Sequence, residues 1–236
     1  MFDAKQVQQD FSNAASSYDA YALLQQRVLT ELIKKAMPLL PTQAHILDAG
    51  CGTGQLAREL KGYKITQTDI AYAMCKKAAG SALAVNASID HLPFADATFD
   101  SVFCSLVLQW VPDWKQTIKE LQRVLKPGGM VAISTFGPDT LKELKESFAA
   151  ADRYSHVSAF IPRATFTQTE VITEYYPSLM ALMRHLKAIG ARNKLLGRRK
   201  SLMTRRQFER VERRYEERFR TSSGLPVTWE ILYLVT

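Results

Sequence analysis

The chain has 236 residues, with 31 Lys and Arg against 23 Asp and Glu and a formal net charge of +8. That length suits one sizeable core, or a core with a modest cap, rather than a string of domains. No run is long and apolar enough to span a bilayer, the start MFDAKQVQQDF lacks a secretory leader's apolar stretch, and the 3 cysteines (Cys51, Cys75, Cys104) have no paired or metal-ligand spacing. We expect a single cytoplasmic, monomeric unit with no metal and no membrane association.

Residues 3–37 read as two helices, because Val7, Phe11 and Ala14, then Tyr18, Leu24, Val28, Leu32 and Ala36, recur at helical spacing. Pro38 and Pro41 close that region. From 44 onward short apolar runs alternate with helical periods. Strands are predicted at 44–48, 63–68, 82–85, 99–104 and 129–135, and helices at 54–61, 71–79, 113–124 and 138–151. Such βαβ units build a parallel sheet with helices on both faces. Lys126-Pro127-Gly128-Gly129 reads as a helix stop and a turn before the fifth strand. Further on come a strand at 167–175, an amphipathic helix from Pro177 to Ile189 stopped by Gly190, and a charged helix from the cap Thr204 to about Arg220. A last strand, Val227 to Val235, is expected to lie antiparallel at or near the sheet edge. The class is therefore α/β, Rossmann-like, with a mostly parallel seven-stranded sheet. A helical lid at 1–40, a core at 41–152 and a cap at 153–236, inserting helices before the last strand, divide a single domain.

Chemistry concentrates where the first strand ends, in Asp48-Ala49-Gly50-Cys51-Gly52-Thr53-Gly54. Glycines let the backbone approach a ligand without a Cβ. No Lys follows Gly54, so this is not a Walker loop, and an acid on the strand end repels a phosphate. The pattern suits a cation with an amino-acid tail and a ribose, which describes S-adenosylmethionine. Asp69 ends the second strand, about twenty residues past the first glycine, where an acid accepts bonds from ribose hydroxyls. Ile70 and Met74 follow as apolar contacts for adenine. After the third strand stands Ser88, with Ile89 beside it, where an acid often receives the adenine amine; Asp90 is read as the cap of the next turn. The fourth strand ends at Ser105 and Leu106, toward the reactive methyl, and Gln109 and Trp110 beyond it would shape the acceptor pocket. Each of these apolar side chains has an ordinary alternative as core packing.

From Arg184 to Arg220 there are 14 Lys and Arg but only 4 Glu. The excess suits a solvated helix face or a docking surface for an acidic partner.

Taken together, the motifs over about 44–135 resemble the class I S-adenosylmethionine-dependent methyltransferases. A narrower resemblance covers nearly the whole chain. Phe11 to Ala15, Tyr18-Asp19, Leu24-Gln25, Leu108-Gln109-Trp110, Phe160-Ile161-Pro162, Met183 to Ala191, Leu202 to Arg205 and Pro226 to Glu230 all resemble the malonyl-acyl-carrier-protein O-methyltransferase family of biotin synthesis. Ser88 departs from it, since an acid is usual there.

The resemblance implies esterification of the free carboxylate of a malonyl group on acyl-carrier protein. It implies a lid carrying Tyr18 over the methyl donor, and a cation for the carboxylate, Arg184 first and Lys187 second. It gives the basic stretch Arg192, Lys194, Arg198, Arg199, Lys200, Arg205 and Arg206 an acidic carrier protein to dock. It places S-adenosylmethionine against Asp48, Gly50, Cys51, Gly52, Gly54 and Asp69.

Three other readings compete. An RNA methyltransferase fits the charge, but there is no Asn-Pro-Pro-Tyr/Phe or Pro-Cys motif and no aromatic interleaving of the basic run. A quinone-type small-molecule methyltransferase needs an apolar acceptor pocket and no basic surface. A scaffold without catalysis would need no cofactor affinity.

Overall fold

The computed structural model describes residues 3–149, 157, 160–191 and 203–236. The N-terminal region forms α1 (Ala4–Ala14), α2 (Tyr18–Tyr21) and α3 (Leu23–Ala36). Three pieces replace the two helices expected, because the chain turns at Ala15–Ser17 and again at Ala22, whose ψ of 37° leaves the helical region. The Asp3 side chain caps α1 by accepting from Gln6 N at 3.2 Å.

The core then runs β1 (His45–Ala49), α4 (Gln55–Glu59), β2 (Lys64–Asp69), α5 (Tyr72–Ala78), β3 (Leu83–Asn86), β4 (Phe99–Ser105), α6 (Trp114–Val124), β5 (Leu125–Phe136) and α7 (Lys142–Ala149). Last come β6 (Gln168–Tyr176), α8 (Leu179–Ala188), α9 (Arg205–Phe219) and β7 (Leu225–Val235). Ser178 caps α8, and a Thr204–Gln207 capping box starts α9.

One seven-stranded sheet has the order β3-β2-β1-β4-β5-β7-β6. β1 to β5 pair in parallel, and β7 lies antiparallel between β5 and β6. The last strand is thus second from the edge, and β6 takes the edge. Strand residues are buried on both faces: Ile46, Phe103 and Ala132 pack with α3, while Leu47, Val102 and Val131 pack with α6 residues Leu121 and Val124. Each such side chain contributes about 1.5–3 kcal/mol, and burial on both faces is what turns these strands into continuous apolar runs.

Two boundaries differ from expectation for local reasons. Lys126-Pro127-Gly128-Gly129 is a bulge inside β5. Leu125 already pairs with Phe99, the register then jumps to Ser101↔Met130, and Lys126 Nζ reaches Asp100 Oδ1 at 2.8 Å. The helix expected from 138 starts at Lys142, because Leu141 sits at φ 57° and Thr140 Oγ1 is donated to the Glu230 carbonyl at 3.0 Å. No helix among the described residues is long and apolar enough to cross a membrane.

Candidate active site

The strand order reverses at β1, and a crevice opens at the carboxyl ends of β1 and β4, where α/β sheets place ligands. The glycine turn is folded against β2: Gly50 N and Cys51 N both donate to the Thr68 carbonyl at 2.8 Å. Its three glycines do different work. At Gly50 (φ +82°) a Cβ would stand 2.3 Å from Val107 Cγ2. At Gly54 (φ +85°) it would strike Ser81 Oγ at 2.7 Å and Gln67 Oε1 at 2.8 Å, so this glycine seats the turn on α5 and β2. At Gly52 the only neighbour within 4 Å is Tyr18 Cε1, at 4.0 Å, so its open side faces the crevice.

Asp69 locks the turn from the other side. Its Oδ2 accepts from Gly52 N at 3.0 Å and its Oδ1 from Ala71 N at 2.8 Å. Asp48 lies behind the turn, 5% exposed, and its Oδ2 has no hydrogen-bond partner. Burial, and then the Asp69 charge, push the Asp48 carboxyl up to about 7. Burial pushes Asp69 up to about 6 against the opposing pull of the Ala71 and Gly52 amides. A bound cation favours the ionised form of both carboxyls.

The crevice opens into a cavity of about 290 Å³. Gly50, Gly52 and Asp69 line its floor, and Ile70, Met74, Ser88, Ile89, Ser105 and Leu106 line it from the neighbouring loops. Asp90 lines it too, so this carboxylate, expected only to cap a turn, stands at the adenine end beside Ser88. Asp48, Cys51 and Gly54 are not in the lining; they form the layer beneath it. These features fit S-adenosylmethionine: an orphaned buried carboxylate oxygen for a cationic donor, a glycine floor, and apolar Ile70, Met74 and Ile89 for a flat ring.

The roof comes from the N-terminal helices. Phe11 meets Trp110 edge-on at 5.7 Å and Tyr18 at 6.5 Å. Burial, then the charges of Asp69 and Asp19, push the Tyr18 phenol above its ordinary value, so it stays a neutral donor. Gln109 lines the cavity, but its amide is engaged at both ends: Nε2 donates to the Leu106 carbonyl at 2.6 Å and Oε1 accepts from Thr135 Oγ1 at 3.0 Å. It holds Leu106, whose φ of 54° is left-handed, at the end of β4.

The other half of the cavity is apolar, with Phe136, Leu144, Phe148, Phe160, Met183 and Trp229 in its wall. Sequence reasoning did not single these out as a site, because an inward aromatic in a pocket wall has the same pattern as one in the core. It also passed over Gln25 as a site residue; Gln25 lines the cavity with Oε1 buried and unpartnered. Lys187 is the one cation lining the cavity among the described residues. Arg184 does not reach it and is exposed on α8. Of the predicted docking residues, Arg192, Lys194, Arg198, Arg199 and Lys200 lie outside the described residues, while Arg205 and Arg206 are exposed at the start of α9. Arg205 is paired with Glu209 at 2.8 Å.

Residues 47–133 match the Methyltransf_11 family, a methyltransferase domain. Among solved structures, YcgJ protein from Bacillus subtilis superposes with a TM-score of 0.60 at 16% identity, covering 89% of this chain and 97% of that one. An S-adenosylmethionine-dependent methyltransferase from Thermotoga maritima gives 0.51 at 18% identity, covering 95% and 98%. Both likenesses are of fold. Sequence relatives are nearer. The malonyl-[acyl-carrier protein] O-methyltransferase of Methylovorus sp. is 38% identical, covering 99% of this chain and 88% of the relative. That of Geobacter sulfurreducens is 34% identical, covering 99% and 98%. The biotin biosynthesis bifunctional protein BioHC of Cellvibrio japonicus is 36% identical, and the chain spans 50% of its length. By likeness over essentially its whole length to such relatives, the chain belongs to the malonyl-[acyl-carrier protein] O-methyltransferase family of S-adenosylmethionine-dependent methyltransferases.

Proposed function

We propose that this chain transfers a methyl group to the free carboxylate of a malonyl thioester carried on acyl-carrier protein, as a single monomeric domain in the cytoplasm. The reading rests on the full-length likeness to enzymes so named, together with the continuity of glycine floor and apolar chamber in one cavity. When bound, S-adenosylmethionine supplies a methyl already activated by a positive sulfur.

The chain's own residues then have little acid–base work, since a carboxylate is a nucleophile without losing a proton. Their task is alignment and exclusion of water. Asp69 and Asp48 hold the cationic donor from below. Phe11, Tyr18 and Trp110 close it from above. The neutral polar groups lining the chamber, the Tyr18 hydroxyl and the Gln25 amide, orient the malonyl group, with the Tyr18 hydroxyl donating to its carboxylate. A neutral hydrogen bond fixes its direction and leaves more charge on the attacking oxygen than an ion pair would. The apolar wall from Phe136 to Trp229 keeps water away from both reactants. The lid (1–40), core (41–152) and cap (153–236) divide these tasks, and the basic stretch 192–206 attracts the acidic carrier protein.

The experiment is methyl transfer from labelled S-adenosylmethionine with malonyl-carrier protein in one tube and bulk RNA in another. Label on the carrier protein, released by mild base as an ester is, supports the reading. Label on RNA alone, or none on the carrier protein, contradicts it.

A further inference from the structure

A second cleft, of about 280 Å³, lies between α1 and α8. Asp10, Asn13 and Ala14 line one wall, and Arg184, Lys187 and Ala188 the other. Each set is spaced three or four residues apart and so shares one helix face. Gly190 fixes how near the two walls stand, since a Cβ there would lie 3.2 Å from the Asp10 carbonyl oxygen.

The cleft is rich in donors that the protein leaves unused. Among the described residues Arg184 and Lys187 form no ion pair. Asn13 spends its Oδ1 on Gln9 Nε2 at 3.0 Å, which leaves the amide N–H groups unspent. The one acid, Asp10, is 6% exposed; its Oδ1 accepts from Gln6 Nε2 at 3.0 Å and its Oδ2 is buried without a partner, so neither oxygen neutralises the two cations. Guanidinium, ammonium and amide donors on facing helix stripes suit an anion with several acceptor oxygens. A guanidinium in particular matches two phosphate oxygens at once. Lys187 lines both this cleft and the main cavity, so the two adjoin at its side chain.

We infer that the cleft between α1 and α8 holds the phosphodiester of the phosphopantetheine arm on which the carrier protein presents its malonyl thioester. Arg184 supplies the bidentate fork, Asn13 a further donor, and Lys187 stands at the threshold through which the arm enters the chamber. The inference rests on the acceptor proposed above and adds where its tether is gripped. A phosphodiester has no place within the chamber, whose aromatic wall would strip its hydration without replacing it. It also gives Arg184 a role at the far end of the substrate arm from the carboxylate.

The test compares malonyl-4′-phosphopantetheine with malonyl-pantetheine, which differ only in the phosphate, in wild type and in Arg184→Gln, Arg184→Lys and Asn13→Ala. Wild type is expected to favour the phosphorylated acceptor in kcat/KM by about tenfold or more. Arg184→Gln should bring that ratio to within about twofold of unity, Arg184→Lys should retain part of it, and Asn13→Ala should lower it less. Calorimetry with S-adenosylmethionine checks that each variant is folded. A wild-type ratio near unity, a ratio unchanged by Arg184→Gln, or an equal loss on both acceptors would each overturn the inference. If wild type methylates neither acceptor nor malonyl-carrier protein, the acceptor reading itself fails, and that outcome is distinct from the other three.

Discussion

Thr53 Oγ1 donates to Asp19 Oδ1 at 2.5 Å, joining the glycine turn to the helix that carries Tyr18. Two weaker ties flank it: Gln8 Nε2 donates to the Ile70 carbonyl at 3.0 Å and Lys77 Nζ to the Ser16 carbonyl at 3.3 Å. All three run from the lid to the glycine turn, the loop after β2 and α5, and so tie the roof of the cavity to its floor. Asp19→Ala should weaken S-adenosylmethionine binding by about three- to tenfold, the worth of one partly exposed charged hydrogen bond, without a comparable fall in melting temperature. A thermal shift titration reads both quantities. Unchanged affinity would mean the lid closes without this tie.

The glycines offer a contrast within a single turn. Gly54→Ala forces a Cβ into Ser81, Gln67 and Ala78 and should cost about 1–3 kcal/mol of stability, in line with overpacking at a left-handed residue. Gly52→Ala meets no close neighbour, so it should cost only about 1 kcal/mol yet abolish most cofactor binding by placing a methyl on the cavity floor. Denaturant unfolding and calorimetry on the two variants separate these effects. Equal losses of stability would refute the division of labour.

Protonation of Asp48 and Asp69 should govern the cofactor. Asp48 and Asp69 are raised to about 7 and about 6 from 3.8, so between those limits the folded protein holds protons that the unfolded chain has released. Unliganded stability from this pair is therefore complete below about pH 4 and declines as pH rises through 6 to 7. A cation selects the ionised pair, so its affinity should run the opposite way, increasing from pH 5.5 to 8 with proton release on binding. Calorimetry in buffers of different ionisation enthalpy counts those protons. Asp48→Asn should flatten both profiles, and proton uptake would contradict the assignment.

Tyr18→Phe removes the phenol donor from the chamber, and Gln25→Leu removes an amide whose Oε1 has no partner. Each should lower kcat/KM for the malonyl acceptor by about ten- to a hundredfold while S-adenosylmethionine affinity changes less than threefold, because misalignment of the attacking oxygen falls on the transition state. A loss confined to cofactor binding would move both residues from the acceptor to the donor side.

Much of this site was legible as a pattern of residues, because the backbone itself imposes it. An acid at a strand end and glycines where φ must be positive leave a mark in the sequence, and so does Asp69 at the end of the next strand. The central strands β1, β4 and β5 are legible because burial on both faces dictates apolar runs, whereas the edge strand β6, with one buried residue, shows only as an alternation. What escaped was depth. Periodicity puts Leu182 and Leu186 on the buried stripe of α8, as found, but does not say that Arg184 faces α1 rather than the cavity. Phe136, Phe148 and Trp229 read as core because a cavity wall obeys the same patterning as a packed interior. Pro127 to Gly129 carries the signals of a turn and of a bulge alike, and only the pairing of Leu125 with Phe99 tells them apart.

The central claim is that Asp48, buried beneath the glycine floor, and Asp69, half-buried within it, hold S-adenosylmethionine. Its most direct measurement is calorimetric titration of S-adenosylmethionine into wild type and Asp69→Ala. The account predicts one site in wild type and a loss of about a hundredfold or more in the variant, as expected when a charged hydrogen-bonding group that lines the site is removed. Wild-type affinity in Asp69→Ala, or no binding by wild type at millimolar ligand, would contradict it.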